Sequence, residues 1–246
     1  MSLKESEALV IKSYNLSEAD RIVVFFTREF GVVRGVAKGA KRLKSRFGST
    51  LEPFSTVNLS YFQKDDRELV SIQQVELTRS RFGTASDPAF LAAFSYIGDL
   101  LTDFAPPHDA DETLYRMITA CLAAPENERD LSAVQLYFEL WLLRLSGYLP
   151  DWLRCGSCGR TIGDNEAATI VSGFQLQCGT CRKSYAIGEI STEDREVFRN
   201  VQALSPQDFV EYSHGRNDSV AMISSVMKRI IAGVLGREVA SGDSLR

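Results

Sequence analysis

Histidine is scarce in this chain, whose 246 residues include only His108 and His214. The two lie far apart in the sequence, so a Ser–His–Asp or Cys–His arrangement for nucleophilic catalysis has little to be built from. The phosphate-binding sequence G-x-x-x-x-G-K-[ST] is missing as well, and no G-x-G-x-x-G follows a strand-like run. These absences predict a protein that is not an enzyme.

Long apolar runs are also missing. No apolar segment approaches the ~20 residues that a membrane-spanning helix needs, and the N-terminal residues include acids where a secretory signal would carry cations. Hydrophobic residues make up 44 % and charged residues 24 %, the usual balance of a globular protein. We therefore expect a cytoplasmic protein that has no membrane partner.

Acidic residues are absent from one segment, residues 30–51, which we call the basic segment. The chain is formally acidic, at net −4, yet residues 1–82 hold 14 cations against 10 acids and residues 83–246 hold 14 against 22. Like charges at high density repel one another unless an anion lies between them, which favours a polyanionic ligand. A solvated loop without a ligand remains the alternative on composition alone. The basic segment contains six cations: Arg34, Lys38, Lys41, Arg42, Lys44 and Arg46.

Five strand-like patterns surround this segment, at residues 7–16, 21–27, 31–37, 54–62 and 69–77. The connections leave no room for crossover helices, so we expect antiparallel pairing and a small closed barrel. The one long connection lies between the third and fourth strands and carries most of the basic segment.

An oligonucleotide-binding (OB) barrel uses its loops and one curved face as a positive groove, with aromatic rings for base stacking. Phe47, Tyr61 and Phe62 are candidates for such rings. Core packing is the favoured alternative for Tyr61 and Phe62, whereas for Phe47 stacking and packing are about equally plausible.

Helical periodicity takes over after residue 86. Asp87 followed by Pro88 predicts a helix start, and further helices are predicted over residues 111–123, 131–147, 192–204 and 220–234. The pattern at 131–147 is apolar nearly all round, which predicts the centre of a bundle. We expect four regions: a barrel at 1–80, a first helical part at 86–150, an inserted module at 151–188 and a second helical part at 189–246.

The predicted insert contains two cysteine pairs in the pattern C-x2-C-x19-C-x2-C. Cys155, Cys158, Cys178 and Cys181 match the spacing of a zinc site, and four thiolates close the tetrahedron so that no position stays open for a reactive water. The sequence predicts a structural zinc ion. Disulfides or free thiols are the weaker alternative for a cytosolic chain.

Several of these motifs, in this order, resemble those of the bacterial RecO recombination mediator and DNA repair proteins. The strongest parts are EADRIV at residues 18–23 and VAKGAKR at residues 36–42. The resemblance continues through YFELWLL at 137–143 and SGYLP at 146–150, and then through the cysteine pairs. It covers nearly the full length.

The resemblance implies an α+β protein with an N-terminal five-stranded antiparallel OB barrel, an α-helical domain and an inserted zinc module with four cysteine ligands. It also implies a cytoplasmic, nucleoid-associated mediator that binds single- and double-stranded DNA and anneals strands without nucleotide hydrolysis. The implied partners are RecR, the acidic tail of the single-stranded-DNA-binding protein and, indirectly, RecA and RecF. Lys228 and Arg229 in the last predicted helix are candidates for contacting that tail, and a solvated helix face is the favoured alternative for both. A zinc-ribbon adaptor between proteins, with an incidental basic loop, is the alternative.

Overall fold

The computed structural model describes residues 2–64, 68–105, 109–181 and 186–238. They form two compact units, a barrel unit that reaches to Leu122 and a helical unit that starts at Ala123. Among the described residues, no helix combines the length and apolar character needed to span a membrane.

The barrel unit is built on five strands: β1 (Ser2–Asn15), β2 (Arg21–Thr27), β3 (Gly31–Ala37), β4 (Thr56–Gln63) and β5 (Leu69–Arg79). They close into a barrel in the order β1-β2-β3-β5-β4. This confirms the predicted five-stranded OB-type barrel. The pairing is mixed, however, because β3 and β5 run parallel. Strands can alternate in direction around a closed ring only if their number is even, so five strands force at least one parallel pair.

The barrel interior is filled by the inward-facing residues of all five strands together with two side chains from the long connection, Phe47 and Leu51. Gly35 on β3 is required by this packing. A Cβ atom at that position would lie 2.7 Å from Cγ1 of Ile72 and 2.9 Å from Cγ2 of Val70. Both neighbours are β-branched and stiff at χ1, so they cannot move aside easily.

Three helices complete the barrel unit: α1 (Phe82–Ala85), α2 (Pro88–Phe104) and α3 (Glu112–Ala123), whose last residue lies at the border. Helix α2 begins where Asp87 accepts a hydrogen bond from the backbone N–H of Ala89, at 2.8 Å. It packs against β1 so closely that a Cβ atom on Gly98 would lie 2.8 Å from Cγ2 of Ile11. Nearby, Lys12 donates to Asp99 at 2.6 Å.

The helical unit contains α4 (Leu131–Leu145), the short strands β6 (Ala168–Ile170), β7 (Leu176–Gln177) and β8 (Gly188–Ile190), and helices α5 (Thr192–Ala203), α6 (Pro206–Ser213) and α7 (Asn217–Leu235). Helix α4 contacts α5, α6 and α7, the central place that its apolar surface predicts.

The division of the chain into four domains stays a prediction, with the regions 1–80, 86–150, 151–188 and 189–246. The compact units meet at a different position, after Leu122. The reason is that the apolar faces of α2 and α3 pack against the barrel. The ring centroid of Phe94 on α2 lies 5.7 Å from that of Phe54, in the connection before β4, and that of Tyr115 on α3 lies 5.8 Å from that of Phe26 on β2.

Candidate nucleic-acid interface and candidate metal centre

The connection between β3 and β4 is fixed to the turn between β1 and β2 at its first residues. The backbone N–H of Gly39 donates to the carboxylate of Asp20 at 2.8 Å, and the N–H of Lys41 donates to the carbonyl of Ala19 at 3.0 Å. Gly39 has a φ of +73°, which a residue with a side chain adopts only at a cost. The start of the connection is therefore held in one conformation.

The far end of the connection is fixed by burial. Phe47 is 1 % exposed and belongs to the barrel core, as does Leu51. The hypothesis that Phe47 stacks on bases is therefore wrong, since its ring is already packed. Tyr61 is fully buried as well, as the favoured alternative predicted, and among the three rings only Phe62 keeps a partly exposed side chain.

All six cations of the basic segment are exposed, but their surroundings differ. Arg34 on β3 forms an ion pair with Glu68 at 3.1 Å. Arg46 donates to the carbonyl of Ile72 at 3.2 Å and lies over the ring of Phe47. Lys41 donates to the carbonyl of Ser17 at 3.4 Å.

The three remaining cations, Lys38, Arg42 and Lys44, make no ion pair with any residue that the structure describes. They lie on the same connection as Lys41, within seven positions of one another. Four exposed positive charges therefore project from one short stretch of backbone, and a chain of phosphates is the ligand that matches such a charge distribution.

A groove of about 600 Å³ adjoins Lys38. It follows the junction of β3 and β5, and its walls include Val36, Phe62 and Lys64 as well as residues 68–71. Sequence analysis missed Lys64 because this residue lies outside the acid-free segment and reaches the groove only through the pairing of distant strands.

The barrel surface formed by β1, β4 and β5 has the opposite charge. A shallow depression of about 420 Å³ there is lined by Glu5, Glu7 and Glu76, together with polar side chains of β4 and β5. An anionic strand is repelled by this surface and attracted to the basic segment. The charges of the barrel unit thus favour one orientation of a polyanion.

The four cysteines of the predicted insert come together in the helical unit. Their Sγ atoms all lie within 4.8 Å of one another, and the Sγ atoms of Cys158 and Cys178 are 4.0 Å apart. Zn–S bonds of about 2.3 Å in a tetrahedron place sulfurs about 3.8 Å apart. The cluster therefore has the dimensions to hold a metal ion, and its all-thiol donor set suits zinc.

Each cysteine pair lies on a tight turn that aims two sulfurs in one direction. In the first turn the N–H of Gly159 donates to the carbonyl of Cys155 at 2.8 Å, and Gly159 has a φ of +73°. In the second turn the N–H of Cys181 donates to the carbonyl of Cys178 at 3.0 Å. The spacing of two residues within each pair is what such a turn requires.

The protein environment prepares some of these thiols for ionisation. Burial raises the pKa of Cys155, but hydrogen bonds from the backbone N–H groups of Cys178, Cys158 and Ser157 outweigh burial and lower the pKa to about 6. Hydrogen bonds with Cys158 and Cys178 raise the pKa of Cys181 to about 12. Four thiolates this close are not all ionised without a cation among them, so metal binding releases protons.

A charged pair supports the cluster from outside. Arg160 donates to Glu166 at 2.9 Å, and this contact is the main reason that the pKa of Glu166 falls to about 2. Glu166 also accepts a hydrogen bond from the N–H of Gly179 at 3.1 Å. Glu166 thus links the two cysteine turns, a role that no spacing in the sequence indicates.

Helix α5 holds the loop between the cysteine pairs through one buried cation. Arg195 is 2 % exposed and donates to three backbone carbonyls, those of Ile162 at 2.8 Å, Gly163 at 2.6 Å and Glu166 at 2.8 Å. Trp152 adds a stacked contact with Phe198, at 4.6 Å between ring centroids. The cysteine-bearing loop and α5 are thereby one packed assembly.

Comparisons with known proteins agree with this arrangement. The family model described as Recombination protein O N terminal matches residues 1–81, and the model described as Recombination protein O C terminal matches residues 85–209. The two matches together span most of the chain.

Individual relatives support the same assignment. The DNA repair protein RecO of Koribacter versatilis is 32 % identical over 199 residues, 79 % of each chain. That of Syntrophotalea carbinolica is 33 % identical over 178 residues, 71 % of this chain and 69 % of the relative. That of Rubrobacter xylanophilus is 32 % identical over 236 residues, 96 % of this chain and 94 % of the relative. With both family models and relatives of this similarity in agreement, the chain belongs to the RecO family of DNA repair proteins.

Proposed function

We propose that this protein is a DNA-binding recombination mediator that binds single- and double-stranded DNA and anneals complementary strands. The observation that carries the proposal is the group of exposed cations, Lys38, Lys41, Arg42 and Lys44, on a connection whose two ends are fixed to an OB-type barrel. Cations fixed in position bind phosphates at a lower entropic cost than cations on a flexible tail.

The proposed mechanism is electrostatic. Cations that contact the phosphates of two strands release counterions and reduce the repulsion that opposes annealing. Six contacts on a single strand, at ~0.7 each, give a slope of about −4 for log affinity against log salt, and four give about −3. We expect the shallower slope because Arg34 and Arg46 already have protein partners.

Phosphate contact of this kind positions a strand without reading its sequence. The protein is therefore proposed to act on DNA of any sequence and without nucleotide hydrolysis. Annealing needs this breadth, since specificity comes from base pairing between the two strands themselves.

The four cysteines are proposed to hold a structural Zn²⁺ ion. Cys155, Cys158, Cys178 and Cys181 would supply all four ligands, so the ion would carry no reactive water. Its contribution would be to keep the loop around Glu166 folded against α5. Structural zinc sites of this type are worth on the order of 10 kcal/mol of binding energy, so the loop would lose its fold without metal.

The proposed protein partners are RecR, the acidic tail of the single-stranded-DNA-binding protein and, through them, RecA and RecF. Lys228 and Arg129 lie on the wall of a cavity of about 560 Å³ in the helical unit, where they could meet the carboxylates of such a tail. Arg229 is a weaker candidate because it is not part of the cavity wall and its guanidinium lies over the ring of Phe174, at 5.4 Å.

A titration of labelled tail peptide tests the cavity. We expect Arg129→Ala and Lys228→Gln each to weaken binding, while Arg229→Ala leaves it unchanged. Glutamine at position 228 keeps a hydrogen-bond donor near the buried carboxylate of Glu139, which lies 3.8 Å from the Lys228 amine. Equal affinities for all variants would remove this cavity from the proposal.

The DNA-binding proposal is tested by charge reversal. One variant combines three substitutions in the basic segment, Lys38→Glu, Lys41→Glu and Arg42→Glu. The control has the same total charge and combines substitutions at three exposed sites elsewhere, Arg79→Glu, Arg116→Glu and Arg144→Glu. We expect the first variant to lose most of its affinity for oligonucleotides and its annealing of strands coated by single-stranded-DNA-binding protein, and the control to keep both. A folded first variant with full affinity would favour the zinc-ribbon adaptor.

The setting that this function requires is the cytoplasm, in association with the nucleoid. Imaging of a fluorescently tagged full chain before and after DNA damage tests this part of the proposal. We expect a redistribution onto DNA that the charge-reversed variant does not show.

A further inference from the structure

The tip of the basic segment carries an apolar side chain. Leu43 is 102 % exposed, which means that its side chain contacts almost no other part of the protein. The other exposed large apolar side chains that the structure describes keep between 36 % and 62 % of their surface in water. Leu43 thus stands apart from the single exposed apolar residues that every protein surface carries.

The residues next to Leu43 restrict the kind of ligand that this tip can bind. Arg42 and Lys44 flank Leu43 directly, both are exposed, and no acid occurs between Glu29 and Glu52. A ligand for this tip must offer negative charge at regular intervals with an apolar surface between the charges. A nucleic-acid strand has this composition, with phosphates along the backbone and the faces of the bases between them.

The support beneath the tip is rigid at both ends. On one side the N–H groups of Gly39 and Lys41 are bound to Asp20 and Ala19. On the other, Phe47 is packed in the barrel core. An apolar side chain on a fixed support can be pressed between two bases, whereas one on a flexible loop would fold back.

A lipid surface fits the tip less well. Stable attachment to a bilayer takes a broad apolar face or more than one anchoring signal, and a single leucine supplies neither. One apolar side chain, by contrast, is enough to wedge open one base step, as leucine, isoleucine and methionine do in proteins that kink DNA.

We propose that Leu43 inserts between neighbouring bases of the bound strand and so makes the protein prefer unpaired or frayed DNA to continuous duplex. The proposal rests on the proposed DNA binding by the basic segment and adds a contact to the bases. Insertion costs less where bases are unpaired, because no base pair has to be strained. The wedge therefore adds a preference that phosphate contacts alone do not give.

The test uses the full chain and a thirty-nucleotide strand that contains one 2-aminopurine, whose fluorescence rises when it is unstacked. We compare the wild type with Leu43→Ala, Leu43→Lys and the control Leu77→Ala, which changes an exposed leucine on β5. We expect Leu43→Ala to abolish most of the fluorescence rise and to weaken single-strand binding by about tenfold, the effect of losing most of one buried leucine. Duplex binding should change less than threefold, and the control should behave as wild type.

Leu43→Lys separates a wedge from a merely basic tip. If charge alone matters, the added cation tightens single-strand binding and leaves the fluorescence rise intact, which would overturn the proposal. If Leu43 inserts, the lysine variant loses the fluorescence rise even though it carries one more positive charge.

The outcomes also separate this proposal from the one on which it rests. A wild type that binds DNA with a salt slope near −3 but shows no difference from Leu43→Ala refutes the wedge alone. A wild type that does not bind DNA refutes the proposed function. Binding of the wild type to anionic vesicles, lost in Leu43→Ala while DNA binding is unchanged, would assign the tip to a membrane surface instead.

Discussion

Replacement of Arg195 by methionine is the sharpest test of how the cysteine-bearing loop is held. The variant keeps most of the side-chain stem and removes the donors to three carbonyls, of which that of Ile162 belongs to a buried residue, that of Glu166 to a half-buried one and that of Gly163 to an exposed one. A carbonyl left without a donor costs about 1–3 kcal/mol when buried and roughly half as much when water can reach it. The expected loss is therefore roughly 2–6 kcal/mol.

Arg199→Met is the matched control. Arg199 lies one helical turn further along α5 and forms an ion pair with Asp164 of the same loop, but Asp164 is largely exposed. Exposed ion pairs contribute about 0–1 kcal/mol. The two variants thus remove the same residue type, from the same helix, facing the same loop, and differ in burial.

Two measurements compare the variants: the midpoint of urea unfolding, and the rate at which zinc is released to a chromogenic chelator. A loss of about 2 kcal/mol in the stability of the closed loop corresponds to about thirtyfold faster release if opening precedes release. We expect this for Arg195→Met and less than about fivefold for Arg199→Met. Equal rates and equal midpoints for the two variants would refute the argument that the three carbonyl contacts hold the loop.

Three further predictions concern other parts of the molecule. Gly98→Ala should destabilise the barrel unit by about 1–2 kcal/mol, because overpacking against Ile11 exceeds the gain in helix propensity. In a double-mutant cycle of unfolding free energies, the added substitution Ile11→Ala should recover part of this loss. Glu166→Gln should speed zinc release by the same factor at every pH from about 6 to about 8. The folded pKa of about 2 lies below the ordinary 4.5, so the carboxylate's contribution is complete above pH 4.5 and is lost only as the pH falls towards 2, where protonated thiols no longer hold zinc. Asp20→Ala should weaken DNA binding about threefold by loosening the connection at Gly39 without removing a cation, whereas Asp20→Asn, which keeps an acceptor oxygen, should bind as wild type in the same fluorescence titration.

Features set by neighbouring residues could be predicted from the sequence. Asp87 and Ser191 start helices because their side chains accept backbone N–H groups two or three residues ahead, and this chemistry is visible in the sequence. The clustering of the four cysteines followed from the turn that each pair must form. The five strands followed from their alternating patterns.

Features that depend on distant contacts could not be predicted in the same way. The burial of Phe47 depends on where the long connection crosses the barrel end, and no apolar neighbour in the sequence indicates it. The contacts of Arg195 join residues 29 to 33 positions apart, and a buried arginine has no pattern that distinguishes it from an exposed one. The packing of α2 against β1 likewise depends on the absence of a side chain at Gly98, which alone predicts only a weaker helix.

The parallel pair of β3 and β5 has a consequence for the dynamics of the barrel. Only three residues of each strand are in register there, Arg34 to Val36 with Leu69 to Ser71, whereas β1 and β4 pair over eight. This junction is therefore the part of the barrel that we expect to open first, and its amide protons should exchange fastest among the strand pairs.

The groove beside Lys38 lies along this same junction and takes walls from both strands, at Val36 and at residues 69–71. A ligand that spans the groove would join the two strands across their weakest pairing. Occupancy would then be visible as slower amide exchange at the junction, and the barrel would be most firmly closed when it is loaded.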